Sequence, residues 1–469
     1  MRPRFRFAGI ALAIAGCLLA PAAECSEVST AEKVARVFSD LAHEDTPGCV
    51  VGVSRGGAPV HSSAYGMSDI AAHRALDTGS VLNVASISKQ FTAFSLLLLA
   101  QRHLLSLDDP VTKYVPELLP SAAGVALRHL LHHLGGLRDY EALLELSGRK
   151  TSQGATQFET IALLARQRAA NAPPGVEFDY SNTGYVVLGT VIERVSGKSL
   201  REFEQENLFR PLRMASTTVV DRYPAGLPRL ARGYKPVADG FEIDESAWEQ
   251  IGDGQVHTTV ADLLLWEENF HTHKVGGAPL IEEMLRPGLL ASGERVDYAA
   301  GLFLGEYRGL PVVRHGGSWA GYRSHLIRFP AQHLAVAVLC NRSDSRASQR
   351  AEAVAEVFLG SQMAPTTPTP AHEPSVAERE PEWNPGNGDG YVGAYWSAEA
   401  QARCDIRLTH GALVLETCGE GVSLRAGARD ELVAPSSFSS LRFTREGQPP
   451  TGFLLYAPGI RGLYFGRLP

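Results

Sequence analysis

What most constrains this chain is a gap in its pattern. From Ala364 to Asp389 the residues are mostly Pro, Thr, Glu and Gly, and no apolar period survives among them. A stretch of that composition buries too little apolar surface to offset the entropy lost on ordering it, so it reads as a linker. The chain is therefore expected to fold as two units, residues 26–363 and 390–469, on either side of the segment 364–389. With 469 residues, 44% hydrophobic and 20% charged, it has material for a large core in the first unit and a small one in the second. Its 51 acidic and 44 basic residues, a formal net charge of -7, are dispersed without a basic stripe. Neutralising a phosphate backbone needs such a stripe, so nucleic acid is not an expected partner.

Within the first unit the periodicity changes twice. Thr30 to Leu41 has helical spacing, Pro47 to Ser54 is a β-rich run ending in Arg55-Gly56-Gly57, and Phe91 to Leu105 and Tyr185 to Ser196 again repeat at helical spacing, the last closed by Gly197. Strands return as Gly309 to His315, His325 to Phe329 and Leu334 to Cys340, with turns expected at Gly316-Gly317 and Pro330. An early strand and a late group of strands separated by helices predict an α+β domain: an antiparallel sheet flanked by helices, with a helical region inserted. The second unit alternates over Ala412 to Leu415, Ser440 to Phe443 and Gly452 to Tyr456, which predicts a small all-β sandwich or barrel.

The N-terminus carries Arg2, Arg4 and Arg6, an apolar run from Phe7 to Leu19, then Pro21 and small residues. This is the layout of a signal peptide over residues 1–25, and it places the mature chain in the periplasm or outside the cell with no further membrane span. A membrane anchor would need about 20 apolar residues, and Pro21 and Glu24 interrupt the run. Ile14-Ala15-Gly16-Cys17 also fits a lipobox, which leaves a lipoprotein anchored through Cys17 as a variant. Removing Cys17 and Cys25 leaves Cys49, Cys340, Cys404 and Cys418 in an oxidising compartment. A hairpin turning at His410-Gly411 would set Cys404 opposite Cys418, so that pair is the expected disulfide, and Cys49 and Cys340 are expected as buried thiols.

Ser86-Ile87-Ser88-Lys89 directly precedes a helical run, and the i, i+3 spacing sets the Ser86 hydroxyl and the Lys89 amine on one face of the first turn. A neutral amine there can accept the serine proton, and the helix N-terminus offers a positive dipole and a backbone N–H at Ser86 for an oxyanion. Ser147-Gly148-Arg149-Lys150 has the same spacing but contains Gly and lies between helices, so it is read as a decoy. Tyr180-Ser181-Asn182 sits on a loop after Pro173-Pro174-Gly175: a tyrosine oxygen near an ammonium can shuttle a proton, and an Asn amide can hold a carbonyl. His315-Gly316-Gly317-Ser318 ends a strand, where glycines let substrate backbone lie alongside and the Ser318 N–H can be a second oxyanion donor. His133-Leu134-Gly135 matches the same short pattern and is read as shaping a loop. His129, His132 and His133 have helical spacing but lack a distant completing ligand, so no metal or other cofactor is expected. Thr259-x-x-Asp262 is read as a capping box.

Ser86-x-x-Lys89, Tyr180-x-Asn182 and His315-x-Gly317, in that order, resemble the three motifs of the serine β-lactamase-related hydrolases, the class C β-lactamase and DD-peptidase family known as peptidase family S12. Leu107-Asp108-Asp109-Pro110-Val111, Leu130-Leu131-His132-His133 before Gly136-Leu137, and Thr258-Thr259 before Asp262-Leu263 extend the likeness from about Ala31 to Leu359. The C-terminal unit resembles the β-barrel, lipocalin-like appendages of some members. The resemblance implies a β-lactamase/transpeptidase-like fold and acyl-enzyme chemistry, with Ser86 as nucleophile, Lys89 and Tyr180 moving protons, and Asn182, His315, Gly317 and Ser318 receiving substrate. The implied substrate is a peptide, amide or ester, peptidoglycan-derived peptides included. Two positions depart from the pattern. His315 stands where Lys or Arg is usual, which removes a fixed cation for a substrate carboxylate and favours D-amino-acid peptides or esters over β-lactams; Leu134-Gly135 replaces Thr-Ser before Gly136. A true β-lactamase and a non-catalytic penicillin- or peptidoglycan-binding protein remain alternatives, and the oligomeric state is left open.

Overall fold

The computed structural model describes residues 28–223, 226–365, 388–417, 420–434, 439–445 and 449–469. The leader over residues 1–25, with Cys17 and Cys25, the greater part of the linker and Cys418 lie outside the described residues.

A six-stranded antiparallel sheet forms the base of the first unit. Its strands are β1 (Cys49–Arg55), β2 (Ala58–Tyr65), β3 (Phe303–Tyr307), β4 (Leu310–Trp319), β5 (Tyr322–Phe329) and β6 (Leu334–Cys340), in the order β3-β4-β5-β6-β1-β2. The early strand and the late strands thus meet in one sheet through the β6–β1 pair, as the α+β reading requires. Strand β6 is buried along its whole length because both faces are covered. Cys49, Val51 and Val53 of β1 pack with Val336 and Val338 under the terminal helices α1 (Thr30–Val37) and Ala347–Leu359, while Val50, Ala337 and Leu339 face the larger helical core. Period-two alternation across a sheet coated on both sides explains the pattern.

The helices inserted between β2 and β3 include α2 (Ser88–Gln101), α3 (Leu127–Leu131), α4 (Tyr140–Leu146), α5 (Gln157–Leu164), α6 (Asn182–Ser196) and α7 (Val260–Thr272). Helix α2 stops at Gln101, short of the expected Leu105, because His103 turns left-handed at φ 58°. Helix α7 is capped by Thr259, whose hydroxyl accepts the Asp262 N–H. Asp262 does not complete the box; its carboxylate accepts instead from Ser216 N and the Thr217 hydroxyl.

Two expectations are corrected here. Strand β4 does not turn at Gly316-Gly317 but runs straight through to Trp319, and the reversal falls at Ala320-Gly321. A Cβ on Gly317 would sit 2.2 Å from both the Val84 carbonyl and the Ser324 hydroxyl, so this glycine serves close strand packing rather than a bend. Cys49 and Cys340 are not free thiols: they lie directly opposite one another in the β1–β6 register and form a disulfide. The expected Cys404–Cys418 bridge involves a residue outside the described set, although the hairpin does turn at His410-Gly411, with Thr409 opposite Ala412.

The second unit is a nine-stranded antiparallel sheet curled into a nearly closed barrel. Its strands are β7 (Gly393–Ser397), β8 (Ala402–Thr409), β9 (Ala412–Thr417), β10 (Glu420–Ser423), β11 (Arg425–Ala426), β12 (Glu431–Ala434), β13 (Ser439–Thr444), β14 (Gly452–Ala457) and β15 (Ile460–Arg467), in the order β10-β9-β8-β7-β15-β14-β13-β12-β11. Its interior is filled by Tyr395, Phe443, Phe453 and Phe465, with Phe453 stacked on Phe465 at 5.0 Å. The fold class read from the sequence is the one observed.

Candidate active site

Ser86 lies in a 3-10 turn, Ala85–Ile87, that leads into α2. The turn is held from behind: Asn83 Oδ1 accepts the Ala85 N–H at 2.7 Å, and Ala85 is left-handed at φ 48°. That conformation costs a non-glycine residue roughly 1–2 kcal/mol, and the bond to Asn83 helps to hold it. Ser88, the third residue of the motif, is fully buried and its hydroxyl accepts the Val256 N–H at 3.0 Å, tying the turn to the loop 253–256.

Lys89 is fully buried beneath Ser86. Its Nζ donates to Ser86 Oγ at 3.0 Å, to Asn182 Oδ1 at 2.7 Å and to the Asp253 carbonyl at 3.0 Å. These three acceptors match the three hydrogens of an ammonium and fix the nitrogen's position. The Tyr180 ring lies 5.1 Å from the same nitrogen. Its orientation comes from a cage: His133 packs 4.1 Å from it, Phe303 stacks at 6.4 Å and Tyr298 meets it edge-on. Ser86 Oγ and Lys89 Nζ are thus in direct proton-transfer contact, with the Tyr180 ring held beside them.

Ser86, Tyr180, Asn182, His315, Gly317 and Ser318 line one open groove of about 900 Å³. Strand β3 pairs with β4 only as far as Arg314, so β4 from His315 to Trp319 presents an edge to the groove, where an extended substrate can add as a strand and the Ser318 N–H can meet an oxyanion. His315 itself differs from expectation in one respect. Its Nδ1 faces the Gly316 carbonyl at 2.6 Å and must donate, and its Nε2 is 3.1 Å from the Tyr298 hydroxyl, which must then donate to it. Burial, with Lys89 nearby, pushes this imidazole down to about 3, so it is neutral at any ordinary pH and both nitrogens are occupied within the protein.

On the other side of Ser86 the groove opens into a recess of about 50 Å³ lined by Tyr140, Glu141, Asn182, Gln250 and Asp253. Its size admits a few water-sized groups. Burial pushes Asp253 up to about 6 against the opposing pull of Lys89. The Tyr140 hydroxyl donates to Asp253 Oδ2 at 3.0 Å, whereas Asp253 Oδ1 is buried with no hydrogen-bond partner. Burial, with Asp139 and Asp253 beside it, raises Glu141 well above the usual carboxylate range. Asp139 organises both sides: its Oδ1 accepts the Glu141 and Ala142 N–H groups as the cap of α4, and its Oδ2 accepts the Asn182 N–H at 2.9 Å.

Asp139, Glu141 and Asp253 were not singled out by sequence, and nothing in their spacing marks them. His133, read from the sequence as shaping a loop, has Nδ1 accepting the Ser181 N–H at 3.1 Å and its carbonyl accepting the Asp179 N–H at 3.0 Å, so the loop it shapes is the one that presents Tyr180. Gly136, after the divergent Leu134-Gly135, lies against Ala172, where a Cβ would meet the carbonyl at 2.2 Å. His129 accepts the Ala126 N–H at the start of α3, and Ser147 donates to Leu144 O at the end of α4.

The sequence profile of the Beta-lactamase family matches residues 34–359. A D-aminopeptidase of Cereibacter sphaeroides is 30% identical over 303 residues, which are 64% of this chain and 57% of that protein, so the chain spans just over half of that relative's length. Penicillin-binding protein 4* of Bacillus subtilis is 26% identical over 440 residues, covering 90% of this chain and 96% of that one. Among solved structures, an octameric penicillin-binding protein homologue from Pyrococcus abyssi superposes with a TM-score of 0.61 at 23% identity over 92% of this chain and 97% of that one. A D-amino acid amidase from Ochrobactrum anthropi superposes at 0.59 and 24% identity over 71% of this chain and 99% of that one.

Proposed function

We propose that this chain, which belongs to the β-lactamase family of serine hydrolases, is exported and hydrolyses amides, short peptides or esters whose acyl residue carries a free α-ammonium group, through an acyl-enzyme on Ser86. The observation that carries the reading is the contact of Lys89 Nζ with Ser86 Oγ at 3.0 Å beside a recess lined by carboxylates. Ser86 Oγ attacks the carbonyl carbon as its proton passes to Lys89, whose ammonium has first released a proton to solvent, and the oxyanion forms between the N–H groups of Ser86 and Ser318. The carbon–nitrogen bond breaks as the leaving amine takes a proton delivered by way of Tyr180. Water then attacks the ester, the proton returns along the same groups, and the acid leaves with Ser86 restored.

The recess gives the acyl side its selectivity. An ammonium group is about the size of a water molecule, and its charge would favour the ionised forms of Glu141 and Asp253 that burial disfavours. The D-aminopeptidase relative supports a D configuration at that residue. On the leaving side the neutral His315 offers no cation, in keeping with amide or short-peptide leaving groups rather than a gripped carboxylate. One observation favours the second reading, β-lactamase or carboxypeptidase: Arg323 and Arg346 line the outer end of the groove.

Export is supported by the Cys49–Cys340 disulfide, a bond that persists in oxidising compartments, together with the leader-like N-terminus. No helix among the described residues is long and apolar enough to cross a membrane. We also propose the division into a hydrolase unit over 26–363 and a barrel over 390–469.

The test is turnover of D-alanine p-nitroanilide, its N-acetyl form, p-nitrophenyl butyrate and nitrocefin by wild type and Ser86→Ala. The reading expects the free-amino anilide to be preferred over its acetylated form by at least about tenfold, with all activity lost in Ser86→Ala. Preference for nitrocefin would move the assignment to β-lactamase, and wild type inactive on all four would point to a binding protein.

A further inference from the structure

The barrel reaches the hydrolase unit at the back of the residue that organises both sides of Ser86. In the turn between β14 and β15 the Gly459 carbonyl accepts the Asp139 N–H at 2.8 Å and Asn171 Nδ2 at 3.0 Å, while Asn171 Oδ1 accepts the Arg461 N–H at 2.7 Å. Gly459 is left-handed at φ 72°, and a Cβ there would lie 2.6 Å from Asp139 Cβ. The preceding residue, Arg138, is 3% exposed and its guanidinium donates to the barrel unit, to Glu399 at 2.8 Å and the Gly462 carbonyl at 3.1 Å. Glu399 in turn accepts the Arg168 N–H at 2.8 Å, and its carbonyl accepts Gln167 Nε2 at 2.9 Å. A buried, hydrogen-bonded ion pair and a glycine pressed against the Asp139 side chain make a specific dock, not the loose contact of a tethered domain.

From this dock an unbroken chain of polar contacts runs to the nucleophile: Gly459 O to Asp139 N, Asp139 Oδ2 to Asn182 N, Asn182 Oδ1 to Lys89 Nζ, and Lys89 Nζ to Ser86 Oγ. Asp139 also caps the turn that presents Glu141. Aromatic rings occupy the barrel's interior, so among the described residues the barrel meets this region through the dock and through the Arg461 guanidinium, which pairs with Glu177 and Asp179. We propose that the β14–β15 turn, through Gly459, is a positioning element of the active site: it clamps Asp139 and so sets Asn182 and Lys89 on one side and Glu141 on the other. The proposal rests on the reading of Ser86 as the nucleophile.

The test uses full-length Gly459→Ala, Glu399→Gln and Phe465→Leu, the last a change in the barrel core away from the dock. The readouts are Tm, the rate of Ser86 labelling by a fluorophosphonate, and kcat and KM for D-alanine p-nitroanilide. Gly459→Ala should slow labelling and lower kcat by about 10- to 100-fold, as small displacements of catalytic groups do. Phe465→Leu should lower Tm at least as far while labelling at the wild-type rate. Labelling at the wild-type rate in Gly459→Ala, or equal slowing in Phe465→Leu, overturns the proposal by reducing the barrel to a stabiliser. Should Gly459→Ala fail to fold, Glu399→Gln carries the test, with slowing of about 3- to 10-fold expected and a wild-type rate contradicting it. Wild type that is itself unlabelled would instead overturn the reading of Ser86, and this proposal with it.

Discussion

On one flank of Ser86 stands His315, on the other Asp253 with Glu141, and the same physics acts on both. Burial drives each toward its neutral form, the imidazole down to about 3 and the Asp253 carboxyl up to about 6. They differ in completeness. Both nitrogens of His315 have partners inside the protein, whereas Asp253 Oδ1 has none and its residue lines a recess open to the groove. A buried polar group whose hydrogen bonds are all made is architecture, whereas an enclosed carboxylate oxygen without a partner, on a residue that lines a recess, has hydrogen-bonding capacity to spare. The two flanks thus separate a residue whose bonds lie within the protein from the residues to which the proposed function assigns substrate selection.

The largest expected effect comes from removing the cation between the two flanks. Lys89→Met keeps the buried volume but lowers kcat by at least about 1,000-fold; kinetics on an activated ester check it, and a loss of less than tenfold would contradict the role of Lys89. Next, Glu141→Gln should lower kcat/KM for D-alanine p-nitroanilide by about 10- to 100-fold while changing p-nitrophenyl butyrate hydrolysis less than about threefold. An equal loss on both substrates would erase the functional difference between the flanks.

A pH profile sharpens the same comparison. The folded-state value of Asp253, about 6, is raised above the ordinary 3.8, so the carboxylate is present above about pH 6 and is lost as pH falls through it. Accordingly kcat/KM for the free-amino substrate should drop below about pH 6, and Asp253→Asn should abolish that limb; an unchanged limb in the variant would assign it elsewhere. The smallest effect is expected at His315. With no charge to lose, His315→Gln should cost less than about fivefold in kcat/KM, since only its bonds to Tyr298 and Gly316 need replacing.

The parts of this site that sequence makes legible are those with local spacing. Ser86 and Lys89 share one helical turn, Tyr180 and Asn182 one loop, and the His315-to-Ser318 run one strand, so each short motif implies its own geometry. Asp139, Glu141 and Asp253 come together only because α4, α6 and the loop before residue 256 converge on Lys89, and no spacing in the chain encodes that meeting. The Cys49–Cys340 pairing was hidden for a similar reason: it depends on the register of two strands 291 residues apart. Gly316-Gly317 reads as a turn by composition because the close approach that needs Gly317 comes from Val84 and Ser324, both distant in sequence. The α+β order and the all-β second unit were legible because they rest on hydrophobic period, which survives without knowledge of contacts.

The measurement that tests the account most directly is the intact mass of the enzyme quenched during turnover of a D-amino-acid p-nitrophenyl ester, followed by peptide mapping. The account predicts an added mass equal to the aminoacyl group, located on Ser86, absent in Ser86→Ala and suppressed in Glu141→Gln. Turnover with no covalent adduct, or an adduct that persists in Ser86→Ala, would contradict it.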